Sequence, residues 1–287
     1  MVVKRPSAPT VRSGADRQPD IRRGVGMQIE GRTFVVSGAG NGMGRQVAVG
    51  LARRGARVAA VDIDEAGLAD TAEVAGSAGF STHKVDITDR LAVAALPGEV
   101  AAAHRHIDGV VNIAGIIHKF APFTNLAVDD IDRVWAVNFN GTVNMCRAFL
   151  PLLLDRPEAN LTNMSSLAAL LPFASQTLYS ASKGAVKQFS EGLYAELCDT
   201  NVHVVTVYPG NISTNLAGNS GVDMLDAGGR KVRSTTPASA AKKIIDGIVK
   251  NRFRVLVGTD AAILSALSRI SPGRTTELVA RQIKSVL

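Results

Sequence analysis

The chain has 287 residues, 46% of them hydrophobic but only 5% aromatic, with a net charge of +7 and two cysteines. That length holds one large α/β domain or two small ones, with a core of Val, Ala, Leu and Ile rather than rings. Residues 1–32 carry seven cations against three acids, so the basic balance is partly a property of the N-terminal stretch and gives weak support to a nucleic-acid partner.

Residues 1–28 are rich in Arg, Pro, Gly, Ser and Asp and have no hydrophobic period. They read as a disordered N-terminal extension. The Arg and Ser content resembles a transit peptide, but Asp16 and Asp20 count against one, and Met27 is an alternative start. From about residue 29 to 287 the pattern is that of one domain. TFVVSG (33–38) is a β-branched apolar run bounded by glycine, a buried strand. Residues 40–55 have helical spacing with Val47, Ala48 and Leu51 inward. Strands follow at 56–64, 80–88, 107–115, 161–166, 201–210 and 253–258. Helices fill the intervals, including long ones at 126–154 and 178–199. The polar, Gly-rich stretch 215–234 reads as a lid over a substrate, and an amphipathic helical tail closes the chain. Strands alternating with helices imply right-handed βαβ crossovers. The expected fold is therefore α/β: a three-layer, Rossmann-type, doubly wound parallel sheet of about seven strands in a single domain. No run approaches 18 apolar residues, so no integral membrane segment is expected. Cys146 and Cys198 form neither a disulfide framework nor a metal cluster, which fits reduced thiols in a cytoplasmic protein with no metal site.

Two constellations carry chemistry. SGAGNGMG (37–44) lies between a predicted strand and a predicted helix, where glycines let backbone approach a pyrophosphate at a helix N-terminus. The spacing through Gly38, Gly42 and Gly44 is G-x-x-x-G-x-G. Asp62 follows the second strand, where a carboxylate accepts hydrogen bonds from ribose hydroxyls and repels a 2′-phosphate. The neighbouring positions Asn41 and Ile63 carry no cation. NAD is therefore favoured over NADP, although Arg45 lies nearby in sequence. The second constellation is Ser166, Tyr179 and Lys183. Residues four apart share a helix face, so the Tyr179 phenol and the Lys183 ammonium meet. A fixed cation favours the phenolate, and a phenol so tuned exchanges a proton with an alcohol or a carbonyl.

Together these motifs resemble the short-chain dehydrogenase/reductase family over about residues 31–260. Its TGxxxGxG motif is matched by Ser37 through Gly44, with Ser in place of Thr and with Asn41 and Met43 between the glycines. Its Asp after the third strand is matched by Asp86, beside Ile87. Its NNAG turn appears as Asn112, Ile113, Ala114 and Gly115, with Ile replacing the second Asn. Its helix Asn corresponds to Asn138. Its PGxxxT segment is Pro209, Gly210, Ile212 and Thr214. The resemblance implies that Asp86 binds the adenine amino group and Thr214 the nicotinamide amide. It implies that Tyr179 is the acid or base, that Lys183 lowers its pKa and holds the nicotinamide ribose, that Ser166 orients the substrate oxygen, and that Asn138 fixes a water on the proton path. It also implies a homodimer or homotetramer formed through the two long helices.

The expected function is NAD-dependent interconversion of a secondary alcohol and a ketone. Leu167, Leu170, Leu171, Pro172, Phe173, Leu216, Phe120 and Phe123 suggest an apolar pocket wall and an apolar or ring-containing small-molecule substrate. His118 is placed to edge that pocket, and Trp135 reads as core. Alternatives are an NADP-dependent carbonyl reductase, for example on 3-oxoacyl groups, or a non-catalytic dinucleotide-binding protein.

Overall fold

The computed structural model describes residues 26–214, 216–222 and 234–284. In chain order come β1 (Thr33–Ser37), α1 (Gly42–Ala52), β2 (Arg57–Asp62), α2 (Glu65–Ala75), β3 (Phe80–Lys84), α3 (Arg90–His104), β4 (Gly109–Asn112) and α4 (Val128–Trp135). A π-helical segment, Ala136–Gly141, joins α4 to α5 (Thr142–Leu154). Then follow β5 (Ala159–Met164), α6 (Thr177–Glu196), β6 (Val202–Pro209), α7 (Leu216–Asn219), α8 (Pro237–Val249), β7 (Arg254–Val257), α9 (Thr259–Ile270) and α10 (Pro272–Lys284).

The seven strands form one sheet in the order β3-β2-β1-β4-β5-β6-β7, every pair parallel. The order reverses between β1 and β4, which opens a crevice at the C-terminal strand ends. Because helices cover both faces, central strands are apolar on both sides: all five residues of β1 and all six of β5 are buried. Val36, Val47, Leu51, Val205 and Ile244 belong to the core on the α1/α8 face. Val35, Leu96, Val110, Phe149 and Leu161 belong to the opposite one.

Local chemistry punctuates these elements. Asp64 caps α2 by accepting from Gly67 N–H, and Gly76 ends it in the left-handed conformation at φ 56°. Asp89 caps α3 through two amide N–H groups, and Thr236 caps α8 with Pro237 at its first turn.

Two sequence expectations change, and two fall largely on residues the structure does not describe. Of the expected N-terminal extension, residues 26–28 are described. Met27 is buried and its N–H bonds Val249 O at 2.8 Å; the rest of the expected extension lies outside the described residues. The helix expected over 126–154 is interrupted by the π-helical segment. Trp135 is 38% exposed, not core, and packs its ring on Phe139 at 5.5 Å. Of the expected lid, only residues 216–222 and 234 are described. There α7 is pinned down: Ser220 Oγ accepts from Ile117 N–H at 3.0 Å, and Ser220 O accepts from Arg133 Nη2 at 3.1 Å.

Candidate active site

A cavity of about 590 Å³ lies at the crevice between β1 and β4. Its floor is the glycine turn. Gly38 and Gly42 hold φ of 72° and 53°, left-handed values that cost little only without a Cβ. Gly44 packs so tightly on the turn that a Cβ would sit 1.8 Å from Gly38 O. The turn delivers the first residues of α1 to the cavity, presenting unpaired N–H groups and the positive end of the helix. That cradle, with Asp62 at its rim, fits the pyrophosphate and ribose of a dinucleotide.

Twelve expected cofactor residues line this cavity. Gly38, Asn41, Gly42, Met43 and Gly44 come from the turn, Asp62 and Ile63 from the end of β2, and Asp86 and Ile87 from beyond β3. Ala114 and Gly115 follow β4, and Thr214 follows β6. Asp62 holds the turn itself: its Oδ2 accepts from Gly40 N–H at 2.8 Å and its Oδ1 from Asp64 N–H at 3.0 Å. Asp86 Oδ1 is bonded at 2.8 Å by Thr88 Oγ1 and by Thr88 N–H, which fixes its carboxyl at the wall.

Arg45, whose nearness in sequence favoured NADP, points elsewhere. Its Nε donates to Thr71 Oγ1 at 3.0 Å and to Gly40 O at 3.1 Å, and its Nη2 donates to Gly67 O at 3.2 Å. It braces the back of the turn and does not line the cavity.

Five expected cofactor residues stand behind the cavity wall. Buried Ser37 accepts from Ile113 N–H at 3.2 Å, tying β1 to the β4 exit. Buried Asn112 donates to Asn163 Oδ1 at 2.8 Å, linking β4 to β5. Pro209 ends β6; Gly210 N–H bonds Val257 O at 2.8 Å, and Ile212 pairs with Thr235 and packs on the core. These contacts shape the strand ends beneath the cavity. The sequence reading missed Thr88, Ile116, Arg133 and Val137, which do line the cavity. Only Arg133 carried a signal, as a cation in the last turn of α4.

The catalytic candidates stand just past Gly115. A Cβ there would lie 2.9 Å from Lys183 Nζ and 3.1 Å from Asn138 Oδ1, so only glycine lets the cavity wall and the lysine approach so closely. Lys183 is buried and donates to Met164 O at 3.1 Å. Ser166 follows β5 and caps a short 3₁₀ turn, accepting from Ala168 N–H at 3.1 Å, while its hydroxyl also bonds the Tyr179 phenol. The neighbouring Ser165 donates to Lys183 O at 2.8 Å, clamping α6 to β5. Ser166 thus meets the Tyr179 phenol, and Lys183 follows Tyr179 one turn along α6.

Burial pushes the Tyr179 phenol above its ordinary value, and the Ser166 hydrogen bond opposes this. Burial likewise pulls Lys183 down to about 8. Both shifts have the same cause, since each charged form loses water in a dry corner of the fold.

Asn138 makes three side-chain hydrogen bonds: Oδ1 accepts from Ile116 N–H at 2.8 Å, and Nδ2 donates to Ile116 O at 3.0 Å and to Ser182 Oγ at 3.0 Å. The amide fixes the loop after β4 against α6. It sits in the π-helical segment, a distortion often found at functional sites.

The apolar wall is only partly realised. Leu167 and Leu171 are buried in the core, whereas Phe123 is 61% exposed. Leu216 lines the cavity. His118 is fully buried, with Nδ1 2.7 Å from Lys119 O and its own carbonyl accepting from Gln176 Nε2 at 2.7 Å.

The short chain dehydrogenase model matches residues 32–224. SadH of Mycobacterium tuberculosis, named as an oxidoreductase, is 34% identical over 263 residues, spanning 88% of this chain and 95% of SadH. The chain belongs to the short-chain dehydrogenase/reductase family. A D-threitol dehydrogenase of Mycolicibacterium smegmatis is 35% identical over 193 residues, 66% of this chain and 73% of that protein. The crystal structure of a family member from Burkholderia phymatum in complex with NAD superposes with a TM-score of 0.77 at 24% identity, covering 86% of this chain and 96% of that one. That likeness is one of fold. As a member of the short-chain dehydrogenase/reductase family, the chain is an oxidoreductase acting on CH–OH groups with a nicotinamide dinucleotide. Among the described residues, no helix is long and apolar enough to cross a membrane, and no His/Cys/Asp/Glu group is arranged to hold a metal.

Proposed function

We propose that this short-chain dehydrogenase/reductase interconverts a secondary alcohol and a ketone, with NAD as the hydride carrier. The observation that carries this reading is the contact at Gly115, where the cavity wall and the buried lysine meet with no side chain between them. Bound NAD supplies the hydride acceptor. The chain's own residues do the rest. Ser166 orients the substrate oxygen, and the Tyr179 hydroxyl exchanges a proton with it, as base in oxidation and as acid in reduction. Lys183, placed one turn along α6, supplies the charge that a developing phenolate requires. Asn138 is a positioning residue that holds the β4 exit against α6.

The preference for NAD rests on Asp62, whose carboxylate lines the cavity while Arg45 is bonded to the backbone behind it. A 2′-phosphate there would meet a like charge with no guanidinium turned toward it. The substrate class is a small alcohol or ketone with apolar or ring character, received past Leu216. The assembly is a homodimer or homotetramer through α4–α5 and α6, where Trp135, Leu152, Leu154 and Tyr194 remain exposed. A screen of hydroxysteroids, secondary alcohols, polyols and β-hydroxyacyl compounds, reading NADH and NADPH absorbance in parallel, tests the reading. Turnover with NADP alone would overturn the cofactor assignment. Binding of NADH without turnover on any class would point to a non-catalytic dinucleotide-binding protein.

A further inference from the structure

A second cavity, of about 500 Å³, opens at the opposite end of the sheet, where β1 and β2 begin. Four residue steps of β1 separate Thr33, on this cavity, from Ser37 at the glycine turn, a distance of about 13 Å. Its lining holds Arg32, Arg57, Arg105 and Arg156 against the acids Glu30 and Asp108. Buried Asp108 accepts from Arg32 Nη1 at 3.2 Å, Arg156 Nε at 2.9 Å and Thr33 N–H at 2.9 Å. One carboxylate thus answers two guanidiniums. Among the described residues, Arg57 and Arg105 have no acidic partner. Surplus cations around a concavity repel one another and concentrate anions.

The buried histidine of this lining is His104, 5% exposed at the end of α3. Its Nε2 lies 2.7 Å from Ser81 Oγ, which in turn lies 2.8 Å from His83 Nε2. His83 Nδ1 faces Glu99 Oε2 at 3.7 Å. With His83 Nδ1–H turned to that carboxylate, His83 Nε2 is an acceptor. The Ser81 hydroxyl then donates to His83 and accepts from His104 Nε2–H. Among the described residues, that leaves Nδ1 of His104 as the ring atom without a partner, on a side chain that borders the cavity. Protonation makes it a donor beside Arg57 and Arg105.

We propose that this cavity is a binding site for a phosphoryl oxyanion, such as pyrophosphate or the phosphate end of a small metabolite, held by Arg57 and Arg105 with His104 as the buried donor. Guanidiniums suit such a ligand because their planar fork matches phosphate oxygens. Burial first, then His83 and Arg57, holds the His104 imidazole below its ordinary value. A bound anion acts in the opposite direction, so binding takes up a proton and strengthens as the pH falls. The other charged or titratable groups facing the cavity are His106, exposed on the same rim, with Arg32, Arg156, Glu30 and Asp108.

The test is calorimetric titration of the full chain with inorganic pyrophosphate at constant ionic strength, at about pH 6 and about pH 8, with and without saturating NADH. The expected result is saturable binding at one site, tighter at the lower pH and undiminished by NADH. Arg57→Gln combined with Arg105→Gln changes only exposed side chains and should weaken pyrophosphate at least about tenfold while leaving NADH affinity unchanged. His104→Gln should flatten the pH dependence. Absence of saturable binding, displacement by NADH, or equal affinity in the double variant would each overturn the proposal. The double variant decides the matter even where His104→Gln fails to fold.

Discussion

Replacing Lys183 by Met should stabilise the protein at neutral pH while abolishing turnover. The side chain is 4% exposed, and burial lowers its pKa from 10.5 to about 8. Holding it charged in the folded state at pH 7 therefore costs on the order of 3 kcal/mol. Methionine keeps the stem length but leaves Met164 O without its donor, a loss of about 1 kcal/mol. The net expectation at pH 7 is a gain of about 2 kcal/mol, or a rise of several degrees in Tm for a domain of this size. The sign follows from proton counting. Between pH 8 and 10.5 the unfolded lysine binds a proton that the folded one has released, so wild-type stability rises across that window. Above 10.5 the lysine is neutral in both states, and the wild type keeps its bond to Met164 O. Subtracting Lys183→Met from wild type isolates this group from every other titration. The difference should be negative at pH 7 and cross zero before pH 10.5. Urea denaturation of both proteins at half-unit pH steps measures it. A Met variant less stable than wild type at pH 7, or a difference that does not move with pH, would refute the burial argument.

Tyr179→Phe should retain NADH binding and lose turnover by about 10²–10⁴-fold, the usual contribution of a positioned acid–base group, measured by fluorescence titration alongside steady-state kinetics. Because Tyr179 lies above its ordinary range and Lys183 titrates at about 8, alcohol oxidation should rise with pH up to about 8, as more phenolate forms, and stop rising above it, as Lys183 loses its charge; a flat kcat profile would detach both groups from the chemistry. Gly115→Ala puts a methyl 2.9 Å from Lys183 Nζ and 3.1 Å from Asn138 Oδ1, so it should lower kcat far more than it lowers Tm. Asp62→Asn should narrow the gap between NAD and NADP in KM. It should not reverse that gap, since Arg45 stays committed to Gly40 O and Gly67 O.

The buried network around Asn138 explains why the loop after β4 can hold still without regular structure. Its amide closes two hydrogen bonds on Ile116 and one on Ser182, so three segments distant in the chain share one anchor. Ser220 extends the same anchoring to α7 through Ile117 and Arg133. Half-satisfied buried networks are costly, so loss of one member is felt by the rest. Farther along α6, Lys187 and Glu191 form a comparable cluster with Tyr208 and Arg254. The Tyr208 hydroxyl donates to Glu191 at 2.8 Å, and burial followed by that carboxylate raises the phenol's pKa.

Much was legible in the residues alone. Strand and helix alternation follows from local apolar period, because parallel strands covered on both faces must be apolar throughout and their helices must carry one apolar stripe. The glycine turn was legible because φ of 72° at Gly38 and 53° at Gly42 excludes most other residues. Tyr179 and Lys183 could be placed together because helical geometry alone joins residues four apart. What lies across the chain could not be read that way. Arg45 is adjacent to the turn in sequence, yet it faces α2, since Thr71 and the carbonyls of Gly40 and Gly67 form a better-matched partner set. Ser37 and Asn112 carry the motif but serve neighbouring strands rather than the cavity. The helical spacing says nothing of how dry the site is, and it is burial, a property of the assembled fold, that raises the Tyr179 pKa and lowers that of Lys183. Local periodicity writes the elements, whereas charge balance and dryness at a site depend on which distant segments close over it.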